Sequence, residues 1–227
     1  MDMPTKNKEK VSEKAKHREV SVEQKITEIG QAILPHFKIK GDDMRLYNAL
    51  ALYFLGSRKF ESLDPTFSLK KGLFLQGNTG LGKSLSMKIM QKFAGELNKI
   101  KSFRFFLTTD IISDYTLKGE EPLLQHGSHS FRRNRINGAI QMDCPIAICY
   151  DDLGSEQKVA SYFGNEKQVM TEIILKRYDL FISHGLITHF TSNYDGEAIE
   201  KHYGERVLSR LREMCNEIVI EGEDRRR

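Results

Sequence analysis

Tryptophan is absent from the 227 residues, and cysteine occurs only three times. Cys144, Cys149 and Cys215 stand in neither a paired nor a metal-binding spacing, which excludes a disulfide framework. They read as reduced structural thiols of a cytosolic protein. No run of about 18 apolar residues exists, so a transmembrane helix is excluded. The opening Met-Asp-Met-Pro-Thr-Lys has no apolar stretch of the secretory kind. A strong charge of either sign is also lacking: the net charge of +4 permits contact with nucleic acid without demanding it. Histidines are scattered, and His126 and His129 in Gln-His-Gly-Ser-His-Ser have no further ligands at hand, so they read as a polar loop. There is no internal repeat. With 29% charged and 39% apolar residues, the composition is that of a globular protein with one principal domain and a small appendage.

What is present is decided by Gly77 to Ser84, which reads Gly-Asn-Thr-Gly-Leu-Gly-Lys-Ser. Gly, four residues, Gly-Lys and Ser is the phosphate-loop pattern. A triphosphate is cradled by successive backbone N–H groups only where no side chain blocks their approach. Gly77, Gly80 and Gly82 permit that approach and the positive φ it requires, with Asn78, Thr79 and Leu81 between them. Lys83 then reaches the β- and γ-phosphates of ATP, and the Ser84 hydroxyl ligates Mg²⁺. Upstream, Lys71 to Gln76 is an apolar run suited to a buried strand. Downstream, Leu85, Ile89, Phe93 and Leu97 recur at helical spacing. Strand, glycine loop and helix together aim a helix N-terminus at phosphate.

Residues 1–20 are nearly devoid of apolar side chains and are expected to form a mobile charged tail. Residues 21–60 read as an N-terminal helical segment. Its first helix is capped by Ser21 with Gln24 and carries Val22, Ile26, Ile29 and Ile33 until Pro35. A second starts near Asp42 or Asp43, presents Tyr47, Leu50, Ala51 and Phe54, and ends at Gly56. Residues 61–227 read as the nucleotide-binding domain. Strands are expected over Ser102–Thr108, Pro145–Asp152, Leu186–Asn193 and Glu217–Glu221. A helix capped by Thr109 and a loop over Gly119–Ser130 follow the first of these strands. Further helices are expected over roughly Glu166–Ser183, near Glu197–His202 and over Glu205–Met214. Alternating strands and helices imply a parallel sheet covered on both faces.

The run ending at Asp151 and Asp152 carries carboxylates to the sheet edge where open α/β folds bind ligands. Asp151 is placed to hold the Mg²⁺ shell, and Asp152 to orient or deprotonate the attacking water. Asn193 closes the next strand, where a neutral amide can touch both γ-phosphate and water. Arg206 and Arg210 lie one helical turn apart and suit a phosphate presented by a neighbouring subunit.

The motifs Gly-Asn-Thr-Gly-Leu-Gly-Lys-Ser, Tyr-Asp-Asp-Leu-Gly, Lys-Arg-Tyr-Asp, Thr-Ser-Asn-Tyr and Gly-Glu-Arg-Val-Leu-Ser-Arg-Leu occur in one order. Over about residues 60–222 the chain resembles the DnaC-like helicase loaders, AAA+ ATPases grouped with DnaI and the IstB transposition helpers. The resemblance implies Lys83 and Ser84 as Walker A, Asp151 and Asp152 as Walker B and Asn193 as sensor 1. It implies Arg210 as the finger acting in trans, with Arg206 the second candidate and Arg177 in an Arg-Tyr pair of unassigned role. It further implies an AAA+ core without a helical C-terminal lid. Asp152 stands where most AAA+ enzymes have Glu, though the loader branch tolerates Asp. Residues 1–60 match no known pattern.

The expected activity is ATP hydrolysis by an oligomer that assembles on single-stranded DNA and loads or remodels a replicative helicase. An IstB-like helper acting on a transposase is the alternative, and the Asp-Asp pair favours the loader. A small-molecule kinase would need a second-substrate pocket and a basic lid, which the paired arginines do not supply. Arg132, Arg133 and Arg135 are candidates for DNA-backbone contacts, with Phe131 available to stack on a base. A solvated helix face is the competing reading of those four residues.

Overall fold

The computed structural model describes residues 21–41, 43–97, 101–127, 131–136, 139–222 and 224. The charged stretch 1–20, expected to be mobile, lies outside them. The first described element is α1 (Val22–Ile33), which starts where its cap dictates. Ser21 Oγ accepts the Gln24 amide at 3.1 Å, and Gln24 Oε1 accepts the Ser21 amide at 3.0 Å, a reciprocal capping box. Next comes α2 (Asp43–Phe54), which buries Tyr47, Leu50, Ala51 and Phe54, the face its spacing presents.

A 3-10 turn at Arg58–Phe60 leads to β1 (Gly72–Gln76) and then α3 (Lys83–Leu97). Ile26 of α1, Leu50 and Phe54 of α2, Leu73 and Leu75 of β1, and Met87, Ile89 and Phe93 of α3 belong to one buried cluster. Polar contacts cross the same boundary. Tyr53 donates to the Lys71 carbonyl at 2.7 Å, and Ser86 Oγ donates to Tyr47 Oη at 3.2 Å.

The strand β2 (Phe103–Leu107) runs straight into α4 (Thr108–Lys118). Thr109 lies inside this helix and does not cap it; Leu107 holds the cap position without a side-chain bond. The expected loop after residue 119 contains α5 (Glu121–His126), with Pro122 in its first turn. Proline is tolerated there because the amides of a first turn have no intrahelical partner to lose. A hairpin follows, β3 (Phe131–Ile136) antiparallel to β4 (Ala139–Pro145). The chain then passes through β5 (Ala147–Leu153) into a short hairpin, β6 (Ala160–Tyr162) and β7 (Asn165–Lys167). The remaining elements are α6 (Val169–His184), β8 (Thr188–Ser192), α7 (Gly196–Tyr203), α8 (Glu205–Met214) and β9 (Cys215–Val219).

Five strands form one sheet in the order β2-β5-β8-β1-β9, every neighbouring pair parallel. Both β1 and β8 are buried along their whole length, as expected of central strands covered on two faces. Alternation divides the interior. Leu73 and Leu75 point into the cluster shared with α1–α3, while Phe74 joins Tyr150, Ile173, Phe190 and Leu208 on the other face. Because β8 is inserted between β1 and β5, its C-terminal end falls between the glycine loop and the acid pair.

Candidate nucleotide-binding site

The loop leaving β1 adopts backbone angles that explain its glycines. Gly77, Gly80 and Gly82 have φ of 145°, 84° and 82°, a region that disfavours any side chain. Between them Leu81 is buried in the core and anchors the loop from beneath. Lys83 opens α3 and is only 5% exposed. Its ammonium donates to the carbonyls of Gly77 at 2.6 Å and Asn78 at 2.8 Å, and to Asn193 Oδ1 at 2.7 Å.

The acid pair owes its aim to an irregularity in β5. Tyr150 pairs with Phe190 and Leu153 with Ser192, so the segment Tyr150–Leu153 holds one residue more than its partner. This bulge puts Asp152 at φ 61°, in left-handed territory. Thr191 holds both residues: its hydroxyl donates to Asp151 Oδ1 at 2.6 Å and accepts the Asp152 amide at 2.9 Å. Thr108 donates to the Asp152 carbonyl at 3.1 Å. The side-chain amide of Asn193 donates to Asp152 Oδ1 at 2.7 Å. A continuous relay therefore runs from Lys83 through Asn193 to Asp152. Beside it runs a second line, in which Thr191 donates to Asp151 and the Ser84 hydroxyl lies near enough to lower the pKa of the same carboxylate.

Asp151 is 2% exposed. Burial raises its pKa, opposed by the bonds from Thr191 and Ser84 and by the nearby Lys88 ammonium. A buried carboxylate in contact with a hydroxyl is an oxygen-only donor set, which suits a hard cation such as Mg²⁺ that also keeps water and phosphate ligands. Among the described residues no group of three His, Cys, Asp or Glu could hold a metal by protein ligands alone. That is compatible with an ion bound largely through a nucleotide. The positive-φ glycine loop likewise fits a triphosphate, so the residues present suit Mg²⁺-ATP.

The structure thus brings Lys83, Ser84, Asp151, Asp152 and Asn193 together. Arg206 and Arg210 sit apart on α8. Arg206 is exposed. Arg210 stacks over Tyr178, 4.3 Å from the ring centroid, donates to its hydroxyl at 3.0 Å and pairs with Glu213 at 3.3 Å. Arg177 is wholly buried and serves the core. It donates to Thr188 Oγ1 at 2.6 Å and, at 3.1 Å each, to the carbonyls of His126, Ile146 and Ile187. Phe131, Arg132, Arg133 and Arg135 lie on a strand, β3, and not on the helix face considered for them. The proposed contacts of their side chains fall outside the described residues.

Sequence reasoning missed Thr108, Thr191 and Glu156. Buried Glu156 accepts the Gly154 amide at 2.9 Å and the Tyr203 hydroxyl, tying the turn after the acid pair to the end of α7. A signal for Thr191 does exist: a hydroxyl inside a fully buried strand must find a partner, and the acids on the neighbouring strand are in reach.

No protein-family model matches this chain, and no curated protein matches it by sequence. Solved structures do. The DnaC helicase loader is 21% identical with a TM-score of 0.55, over 82% of this chain and 94% of that one. DnaI is 20% identical with a TM-score of 0.55, over 86% and 93%. A protein described as a primosome component, from Streptococcus pyogenes serotype M3, is 22% identical with a TM-score of 0.53, over 88% and 97%. The chain shares the fold of these structures, a parallel five-stranded sheet flanked by helices with a phosphate-loop-type glycine turn after β1. In this sheet the inserted strand β8 is what carries Asn193 to a position between Lys83 and Asp152.

Proposed function

We propose that this chain is an ATP-binding and ATP-hydrolysing AAA+ protein of the DnaC-like kind, which assembles on DNA and loads or remodels a replicative helicase. The observation that carries the ATPase reading is the relay Lys83–Asn193–Asp152 lying beside Ser84–Asp151. The helicase partner is carried over from the similarly folded DnaC helicase loader. When bound, Mg²⁺-ATP supplies a polarised γ-phosphate as electrophile. The chain supplies the rest. Loop amides and Lys83 compensate phosphate charge, and Ser84 with Asp151 offers the metal its oxygens. Asp152 orients the attacking water and takes its proton, while Asn193 couples the water side to the phosphate side through its two hydrogen bonds. In the assembled state Arg210 completes the site of a neighbouring subunit, with Arg206 next to it on α8, and Arg132, Arg133, Arg135 and Phe131 of the β3–β4 hairpin meet single-stranded DNA.

The test combines calorimetry with capture from the native host. The parent should bind Mg²⁺-ATP, and Lys83→Ala should bind it at least about tenfold more weakly, because a hydrogen bond to a charged group is lost. With ATP, the parent but not Lys83→Ala should retain a replicative helicase. Equal nucleotide affinity in both proteins would remove the ATPase reading. Recovery of a transposase in place of a helicase would replace the loader by a transposition helper.

A further inference from the structure

The chain does not leave the nucleotide site when its last strand ends. The Ile220 amide donates to the Gln76 carbonyl at 2.8 Å, which extends the pairing of β9 with β1 to the residue just before the glycine loop. From there the segment crosses the loop. A Cβ built on Gly77 would run into the Ile220 carbonyl, and one built on Gly222 would lie 3.5 Å from a methyl of Leu81. A Cβ on Gly80 would run into the carboxylate of Asp224. Gly222 has φ 146°, a turn that redirects the chain over the loop. A carboxylate thus rests on the loop whose amides and adjacent helix N-terminus are arranged for anions.

We propose that Ile220, Gly222 and Asp224 mark a self-bound cover on the phosphate loop, with the Asp224 carboxylate standing where ATP phosphate must come, so that nucleotide binds only by displacing it. The proposal rests on reading Gly77–Ser84 as a phosphate loop. Two negative groups cannot share that ground without repulsion, and the carboxylate is tethered, so it is present at every encounter. The pairing at Ile220 fixes the hinge, and Gly222 is the residue about which Asp224 can lift. By reciprocity, a partner that holds Asp224 away from the loop tightens ATP, and ATP exposes the segment to the partner.

The experiment is Mg²⁺-ATP titration by calorimetry of four variants of the 227-residue chain beside the parent: Asp224→Asn, Asp224→Ala, Glu28→Gln and Lys83→Ala. Glu28, exposed on α1, supplies the same change of net charge away from the loop. Both Asp224 variants should bind ATP about two- to fivefold more tightly at low salt, the range of one exposed charge interaction. In about 0.5 M salt the gain should shrink, because an exposed charge is screened. Glu28→Gln should match the parent. Unchanged or weaker ATP binding by the Asp224 variants, with Lys83→Ala still defective, would overturn the cover and leave the phosphate loop standing. If Lys83→Ala binds like the parent, the phosphate-loop reading and the cover fall together.

Discussion

Asp152 sits at φ 61°, a conformation costing an L-residue about 1–2 kcal/mol, and the structure holds it there through Thr191, Thr108 and Asn193. Asparagine tolerates the same backbone region. Asp152→Asn therefore isolates the charge: ATP affinity should match the parent while turnover falls about 10²- to 10⁴-fold, the range of a lost general base. Thr191→Val should lower turnover and also cost about 1–3 kcal/mol of stability, because the Asp152 amide and an Asp151 oxygen lose their partner. Paired measurements of hydrolysis and denaturant midpoint check both variants, and an unchanged midpoint in Thr191→Val would show the two bonds to be dispensable. At this scale the phosphate loop was legible because its chemistry is written in local spacing. The bulge was not, since an aspartate in a strand carries no mark of its φ. Arg177 is a different case. The family motif assigned it no role, and its burial with hydrogen bonds to Thr188 and three backbone carbonyls makes it a brace of the core.

Among the elements, α8 came out of the sequence with its boundaries intact, because Val207, Leu208, Leu211 and Met214 mark a single buried stripe. Its neighbour β9 was expected two residues late, at Glu217. The structure starts it at Cys215, directly after the helix, with no turn residue to announce the change. The missed α5 and the β6–β7 hairpin are short, and pairing partners rather than periodicity decide such pieces. The outer side of α8 carries the proposed trans contact, with Arg210 preset at the surface by Tyr178 and Glu213. Arg210→Ala should keep ATP affinity, since Lys83, Ser84 and Asp151 are untouched, yet lose about 10³- to 10⁵-fold in turnover. Asp152→Asn should be equally inactive alone. Mixing the two should restore part of the activity, because some interfaces then pair an intact Asp152 with an intact Arg210. Mixtures that co-assemble and stay inactive would place Arg210 in its own subunit's chemistry.

The molecule as a whole should be acid-sensitive through two histidines. Burial, reinforced by Arg177, pushes His126 down to about 4. Burial, reinforced by Lys101 and Arg177, pushes His189 down to about 3. Unfolded, both titrate near about 6.5. Below that value the unfolded chain takes up protons that the folded one refuses, so stability is complete above about pH 6.5 and is lost as the pH falls. Each histidine contributes a slope of up to about 1.4 kcal/mol per pH unit until its folded pKa is reached. Urea midpoints should therefore drop between pH 7 and pH 5, before most carboxylates titrate; a flat profile would mean that water reaches both rings. The sheet order, by contrast, could not be read in advance, because pairing between distant strands leaves no trace in local pattern. Nor could the shared interior of α1, α2, β1 and α3. That interior bears on how such a protein can change over evolution. The helices α1 and α2 are not a cassette that recombination could exchange for another. Leu50 and Phe54 share one buried cluster with Leu73, Leu75 and Phe93, so a new pair of helices must arrive with a matching underside. Only their solvent-facing positions are free to change one residue at a time.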